Sequence, residues 1–239
     1  AQVVSECFNI PIDYVHISGT NTDEVPNTSA TAASSGSDIN GMAAWKAATV
    51  IKQRMLKHAS KVFQKPPSSI EFKNGLILSG NKSMTFKELA FSCWENRISL
   101  SSTGFYKTPK ISWDQEKFKG SPYFYFTWGA AVSEAIIDID TGESRILRAD
   151  IIQDCGSSLN PLIDRGQIEG GFIQGIGWLT CEELYFNPEG KLLTLGPSTY
   201  KIPGSRDVPP KFNIKLLENN PNEQKTIFRS KAVGEPPLL

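Results

Sequence analysis

The sequence predicts an α+β fold, with helices and strands mixed along the chain rather than repeating as strand–helix units. Two stretches carry that expectation. DINGMAAWKAATVIKQRMLKHASKVF has the apolar spacing of a long amphipathic helix. YFYFTWGAAVSEAIIDIDTGESRILRADIIQDCG holds two long β-type runs around Asp-Thr-Gly-Glu, the strongest hairpin signal present.

In chain order, QVVSECFNI reads as a short helix closed by Pro11, and DYVHISG as a strand. Residues 21–37, NTDEVPNTSATAASSGS, are almost free of large apolar side chains. The long helix starts near Asp38, with Met42, Trp45, Val50, Ile51 and Leu56 among its apolar positions and basic residues late in it, where the helix dipole favours cations. KELAFSCWEN predicts another helix and RISLSSTGFY a strand. After the hairpin, Asn160 caps and Pro161 starts NPLIDRGQIEGGFIQGIGWLTCEEL, with Asp164 in the first turn. NPEG is a turn, and FNIKLL and TIFRS are strands. Neither an internal repeat nor a flexible interdomain linker interrupts this order.

Composition narrows the function classes. A chain of 239 residues has room for one large domain or two ordinary ones. Its 25 basic and 25 acidic residues cancel without long runs, so there is no electrostatic case for nucleic acid or an anionic membrane. No stretch approaches the roughly 20 apolar residues of a membrane span. The cysteines (Cys7, Cys93, Cys155, Cys181) are scattered with no CxxC, which favours a reducing, cytoplasmic setting. His16 and His58 stand apart with no metal-type neighbours, so a metal here is expected to bring its own ligands. The start lacks an initiator Met and a signal pattern, and the chain reads as a fragment.

Three segments carry chemistry. TAASSGSDIN is a small-residue loop running into a helix start, where free backbone N–H groups and the positive dipole end suit an anion; a capped helix after a surface loop is the alternative. In GQIEGGFIQGIG, Gln167 and Gln174 lie seven apart on nearly one face, with Gly170 and Gly171 between them. Each internal glycine costs about 1 kcal/mol relative to alanine, so the glycines need a reason: a closely packed backbone or a flat ligand. The two amides favour the ligand, since amides hydrogen-bond a heterocycle's edge. In SKAVGEPP, Gly234 allows close approach or positive φ and Pro236–Pro237 fix φ, which holds Glu235 on stiff backbone. A stiff turn bearing a solvated glutamate is the alternative there.

TAASSGSDING, DCGSSLNPLIDRGQIEGGFIQGIG, GPSTYKIP and SKAVGEPP together resemble, in order and over nearly the whole chain, the molybdenum-cofactor domain of the xanthine dehydrogenase and aldehyde oxidase family. GEPP with STGFYKTP and GPSTYKIP is closest to bacterial xanthine dehydrogenases with a separate large subunit. The resemblance implies that residues 1–239 are the C-terminal portion of a molybdenum-cofactor-binding domain. It implies molybdenum held by the dithiolene of a molybdopterin, with Thr31, Ala32, Ala33, Ser34, Gln167 and Gly234 at the cofactor and Glu235 as the catalytic base. The implied reaction is the hydroxylation of hypoxanthine and xanthine to urate. The implied partners are an upstream half of the same subunit, which carries the substrate-positioning residues, and 2Fe-2S and FAD parts, in a hetero-oligomer. An aldehyde or other N-heterocycle as substrate, or a non-catalytic fragment, are the alternatives. Cys155 stands where relatives have an aliphatic residue and is expected to be a buried small side chain.

Overall fold

The computed structural model describes residues 1–19, 21–23 and 31–238. They fall into two compact units, Ala1–Thr31 with Gly36–Pro109, and Ala32–Ser35 with Lys110–Leu239. Of the stretch 21–37 that lacks core side chains, residues 24–30 lie outside the described residues.

The first unit is organised by its long helix. The short helix α1 (Gln2–Phe8) ends at Asn9 in the left-handed conformation, and the chain then turns at Pro11. The strand expected over 13–19 does not form. Ile12–Tyr14 make a 3-10 turn instead, closed by the Tyr14 N–H on Pro11 O. Alternation alone does not make a strand, and no described residues pair with 15–19. Helix α2 spans Gly36–Phe63, beginning two residues before Asp38. Its buried positions Ala48, Met55, Ala59 and Phe63 recur at helical spacing, while Val50 faces outward.

Three short strands, β1 (Glu71–Lys73), β2 (Leu76–Ser79) and β3 (Lys82–Thr85), form an antiparallel meander that the sequence reading missed. Its turns are Asn74–Gly75 and Gly80–Asn81, and Asn74, Gly75 and Gly80 all have positive φ. Helix α3 (Phe86–Glu95) begins in a capping box: the Thr85 hydroxyl accepts the Glu88 N–H at 3.1 Å, and the Glu88 carboxylate accepts the Thr85 N–H. RISLSSTGFY, expected as a strand, starts in a turn with Arg97 at positive φ and pairs with no strand among the described residues. The α2 side chains take its carbonyls instead, Arg54 donating to Ser99 O and Ser101 O and Lys46 to Phe105 O. Cys7, Phe8, Met55, Ala59, Ile77, Leu89 and Cys93 make the core of this unit.

The second unit carries the long hairpin. After a small hairpin of β4 (Ser112–Asp114) and β5 (Lys119–Ser121), β6 (Gly129–Ile137) pairs antiparallel with β7 (Ser144–Gln153), as the sequence predicts. The turn is held by Asp138, whose carboxylate accepts the N–H groups of Asp140 and Thr141. The FNIKLL stretch forms β8 (Lys211–Leu216), parallel to β7. Helix α4 (Pro161–Thr180) starts as expected, with the Asn160 side chain accepting from Leu162 and Ile163 N–H. It ends at Thr180, short of Leu184, because the N–H groups of Cys181 and Glu182 both turn back to Gly177 O. One sheet face meets α4 through Ile151, Ile168, Phe172, Phe212 and Ile214. TIFRS is not a strand: Ile227–Arg229 form a tight turn with Phe228 and Arg229 at positive φ. Buried Asn222 takes over the pairing there, donating to Thr226 Oγ1 and Ser230 O.

Candidate functional site

The described part of the site lies in the second unit, where three segments distant in sequence meet. Loop 32–35 is one, and Ala33 in it takes φ 58, a conformation that non-glycine residues hold only when their surroundings enforce it. The face of α4 that carries Gln167, Gly171 and Gly175 is the second, and the C-terminal segment from Lys231, which packs on it, is the third. Ser34 Oγ accepts the Glu235 N–H at 2.8 Å. Gly234 sits between two polar side chains: a Cβ added there would lie 3.0 Å from Ser34 Oγ and 3.1 Å from Gln167 Oε1. Ser34, Gln167, Gly234 and Glu235 are therefore brought together, with Ala32 and Ala33 leading into the group. Thr31 belongs to the first unit, its side chain beside Gly36.

Glu235 is fixed through its backbone. Its N–H is taken by Ser34, and its carbonyl accepts the Leu238 N–H at 2.9 Å across the turn Pro236–Leu238. The side chain is exposed, and among the described residues its carboxylate accepts no hydrogen bond and joins no ion pair. A pinned backbone with an exposed, unpaired carboxylate is not the geometry of a structural anion, and it leaves the carboxylate available to act on a neighbouring proton. Beside it, Pro236 and Pro237 help line a cavity of about 130 Å³ together with Ile151, Gln153 and Phe172.

The α4 glycines answer to backbone packing. A Cβ on Gly171 would stand 2.8 Å from Gly234 O, and one on Gly175 would stand 2.1 Å from Leu238 O. Gly177 faces the Pro203 ring, whereas a Cβ on Gly170 would meet nothing within 4 Å. The leaning toward a flat ligand over Gly171 is thus corrected: the chain that bears Glu235 lies there. Gln167 keeps its place at the site, on the same helix face.

Sequence reasoning missed the polar scaffold beneath the segment. Asp154, fully buried at the end of β7, accepts from the Lys231 ammonium and from the Gly156 N–H. The Ala232 N–H donates to Tyr125 Oη at 2.9 Å. Only the Asp-x-Gly spacing of DCG hints at this, as an Asx-type turn. Cys155 is buried as expected, and its thiol is pushed up to about 12 by burial, helped by the charges of Asp164 and Asp154. Among the described residues no three His, Cys, Asp or Glu side chains gather as a metal site, and no helix is long and apolar enough to cross a membrane.

Residues 1–209 match the family model of the molybdopterin cofactor-binding domain. The xanthine dehydrogenase/oxidase of Felis catus is 46% identical over 238 residues, and the xanthine dehydrogenase of Dictyostelium discoideum is 46% identical over 241 residues. Each alignment covers 100% of this chain and 16% of the relative, so the chain spans about a sixth of their length. The CO dehydrogenase from Oligotropha carboxidovorans superposes with a TM-score of 0.81 at 23% identity, covering 99% of this chain and 28% of that one, a likeness of fold.

Proposed function

The chain belongs to the molybdopterin cofactor-binding domain family, and we propose that it is the C-terminal part of the molybdenum subunit of a xanthine dehydrogenase, oxidising hypoxanthine to xanthine and xanthine to urate. The observation that carries this reading is the meeting of Ser34, Gln167, Gly234 and the backbone-pinned Glu235. These residues fit a molybdenum–pterin group. Gly234 lets the Ser34 hydroxyl and the Gln167 amide close on the backbone where a Cβ would crowd both, and the groups so gathered are hydrogen-bonding and basic rather than metal-ligating, as suits a metal held by the pterin's own sulfurs.

In this reading Ala32 and Ala33 offer backbone groups, and Ser34 and Gln167 offer a hydroxyl and an amide to the cofactor, with Thr31 just before them in sequence. Bound there, the group would supply a two-electron oxidation with water as the oxygen source, the electrons leaving for 2Fe-2S clusters, FAD and NAD in partner parts. Glu235 Oε takes the proton from the oxygen that attacks the electron-poor ring carbon. Its pinned backbone keeps that oxygen in reach through the step.

The partners follow from the surface of the second unit. On the outer strand β6, Val132 (71% exposed), Ile136 and Ile137 stand open, and Phe126 and Trp128 precede them. Val132 and Ile136 share one face of β6 and Ile137 lies on the other, and the upstream half of the subunit is the partner proposed to cover these exposed apolar side chains. The reading places the enzyme in purine breakdown in the cytoplasm. Its test is steady-state urate formation by the assembled enzyme together with pterin and molybdenum analysis. Cofactor-loaded enzyme that oxidises aldehydes or another heterocycle but not xanthine would overturn the substrate, and an enzyme without pterin would overturn the whole reading.

A further inference from the structure

Four residues before Glu235, a lysine is largely covered. The Lys231 side chain is 10% exposed, and its ammonium meets the carboxylate of Asp154, which is 0% exposed. We infer that the Asp154–Lys231 pair is the positioning device for the proposed base, setting the register in which the Glu235 segment crosses α4; this rests on the reading of Glu235 given above.

Asp154 is a fixed point. Its N–H donates to Trp128 O at 2.8 Å, and its other carboxylate oxygen accepts the Gly156 N–H at 2.9 Å. Residues 229–231 lie antiparallel to 155–157, with the Lys231 N–H on Cys155 O at 2.8 Å and the Ser157 N–H on Arg229 O at 2.9 Å. Gly156, at φ +65, makes that approach possible, because a Cβ there would stand 2.5 Å from Arg229 O.

Between Lys231 and Glu235 the chain has no slack. The Ala232 N–H is held by Tyr125, Val233 packs among Ile151, Ile168 and Phe172, Gly234 fits between Ser34 and Gln167, and Ser34 holds the Glu235 N–H. Whatever fixes Lys231 therefore fixes Glu235. Desolvation offsets most of the Coulomb attraction of a buried ion pair, so replacing both members by apolar side chains is often neutral for stability. What an apolar pair does not reproduce is direction: an ammonium with one buried carboxylate to meet has one place to go, whereas methyl groups pack in several.

The test replaces the pair in the assembled enzyme. The double variant Asp154→Leu/Lys231→Met is expected to keep wild-type molybdenum content and thermal midpoint. Its kcat should fall at least ~10-fold with KM unchanged, as misplacing a catalytic group by about 1 Å does. Amide hydrogen exchange should quicken over 232–238 while 144–153 stays protected. Wild-type kcat with wild-type exchange over 232–238 would overturn the inference. Should the apolar pair fail to fold, Lys231→Gln is expected to give the same two changes and Lys231→Arg to restore both; Gln behaving as wild type, or Arg no better than Gln, would overturn it. Glu235→Gln measured alongside separates the two ideas. Normal turnover in that variant removes the base itself, whereas its loss beside a fully active apolar pair removes only the positioning role.

Discussion

The hydroxyl of Ser34 accepts the backbone N–H of Glu235 at 2.8 Å, joining residues 201 positions apart. The bond uses the serine oxygen as acceptor and leaves its proton free to donate. Ser34→Ala should thus release one anchor of the Glu235 backbone, at about 0.5–1.5 kcal/mol for a hydrogen bond of this type. The expected outcome in the assembled enzyme is a small drop in thermal midpoint and a larger drop in kcat than in kcat-independent binding of substrate. An Ser34→Ala enzyme with wild-type kcat would show that the remaining anchors hold Glu235 without it.

The neighbouring glycines Gly170 and Gly171 should respond in opposite directions. A methyl at 170 meets nothing, so Gly170→Ala should stabilise by up to about 1 kcal/mol through helix propensity. A methyl at 171 would press on Gly234 O at 2.8 Å, so Gly171→Ala should cost about 1–3 kcal/mol by overpacking, and Gly171→Val more. Denaturant midpoints of the single variants decide this, and equal shifts at the two positions would contradict the packing described.

Much of the fold was legible because its signals are local. The Asp138 turn, the Asn160 cap and the Pro161 start each need only neighbouring residues. Residues 13–19 and 97–106 were misread as strands because alternation reports an extended chain, not a paired one. In the second case Arg54 and Lys46 supply from a helix the hydrogen bonds a neighbouring strand would give. The meander 71–85 escaped notice because strands of three or four residues carry little periodicity, although Asn74–Gly75 was there to be seen. At the site, the small-residue loop, the glycine-rich helix and the Gly-Glu-Pro-Pro turn each stood out locally, while the roles proposed for Ser34, Gln167, Gly234 and Glu235 came with the family resemblance. The contacts joining them have no local signal, and nothing near Asp154 or Lys231 in sequence announces that the two charges meet in the interior.

Thiol chemistry separates the cysteines. With its thiol pushed up to about 12, Cys155 has on the order of one part in 10⁴ thiolate at pH 8, and the thiolate is the reactive form. Burial also raises Cys7 and Cys93. Alkylation of the native chain at pH 8, read by peptide mass spectrometry, should therefore label exposed Cys181 and spare Cys155 until the protein is unfolded. Early labelling of Cys155 would mean that the β7 end opens readily.

The isolated chain should carry little molybdenum. On the proposed reading, Ser34, Gln167 and Gly234 give one side of a cofactor site, and binding free energy lost with the other side is not regained from these few groups. Metal analysis of the 239-residue chain, alone and co-expressed with the upstream half, checks this: stoichiometric metal in the isolated chain would contradict it.

The proposed mechanism turns on Glu235. A base must be ionised when free, aimed at the proton it takes, and not captured by a neighbouring cation. Here the backbone is held on both sides, by Ser34 at its N–H and by Leu238 at its carbonyl, and Pro236 follows without an N–H to compete. Glu235→Gln keeps this frame and removes only the basicity, so the assembled enzyme should retain cofactor and thermal midpoint while turnover falls by ~10²–10⁴-fold. Glu235→Asp keeps the basicity and withdraws the carboxylate by one methylene, which on a backbone that cannot follow should also cost roughly 10²-fold. The pair of variants separates charge from reach: loss in Gln with activity kept in Asp would mean that the segment moves more freely than its hydrogen bonds suggest. Near-normal turnover in a fully loaded Glu235→Gln enzyme would leave SKAVGEPP as a stiff turn with an idle carboxylate.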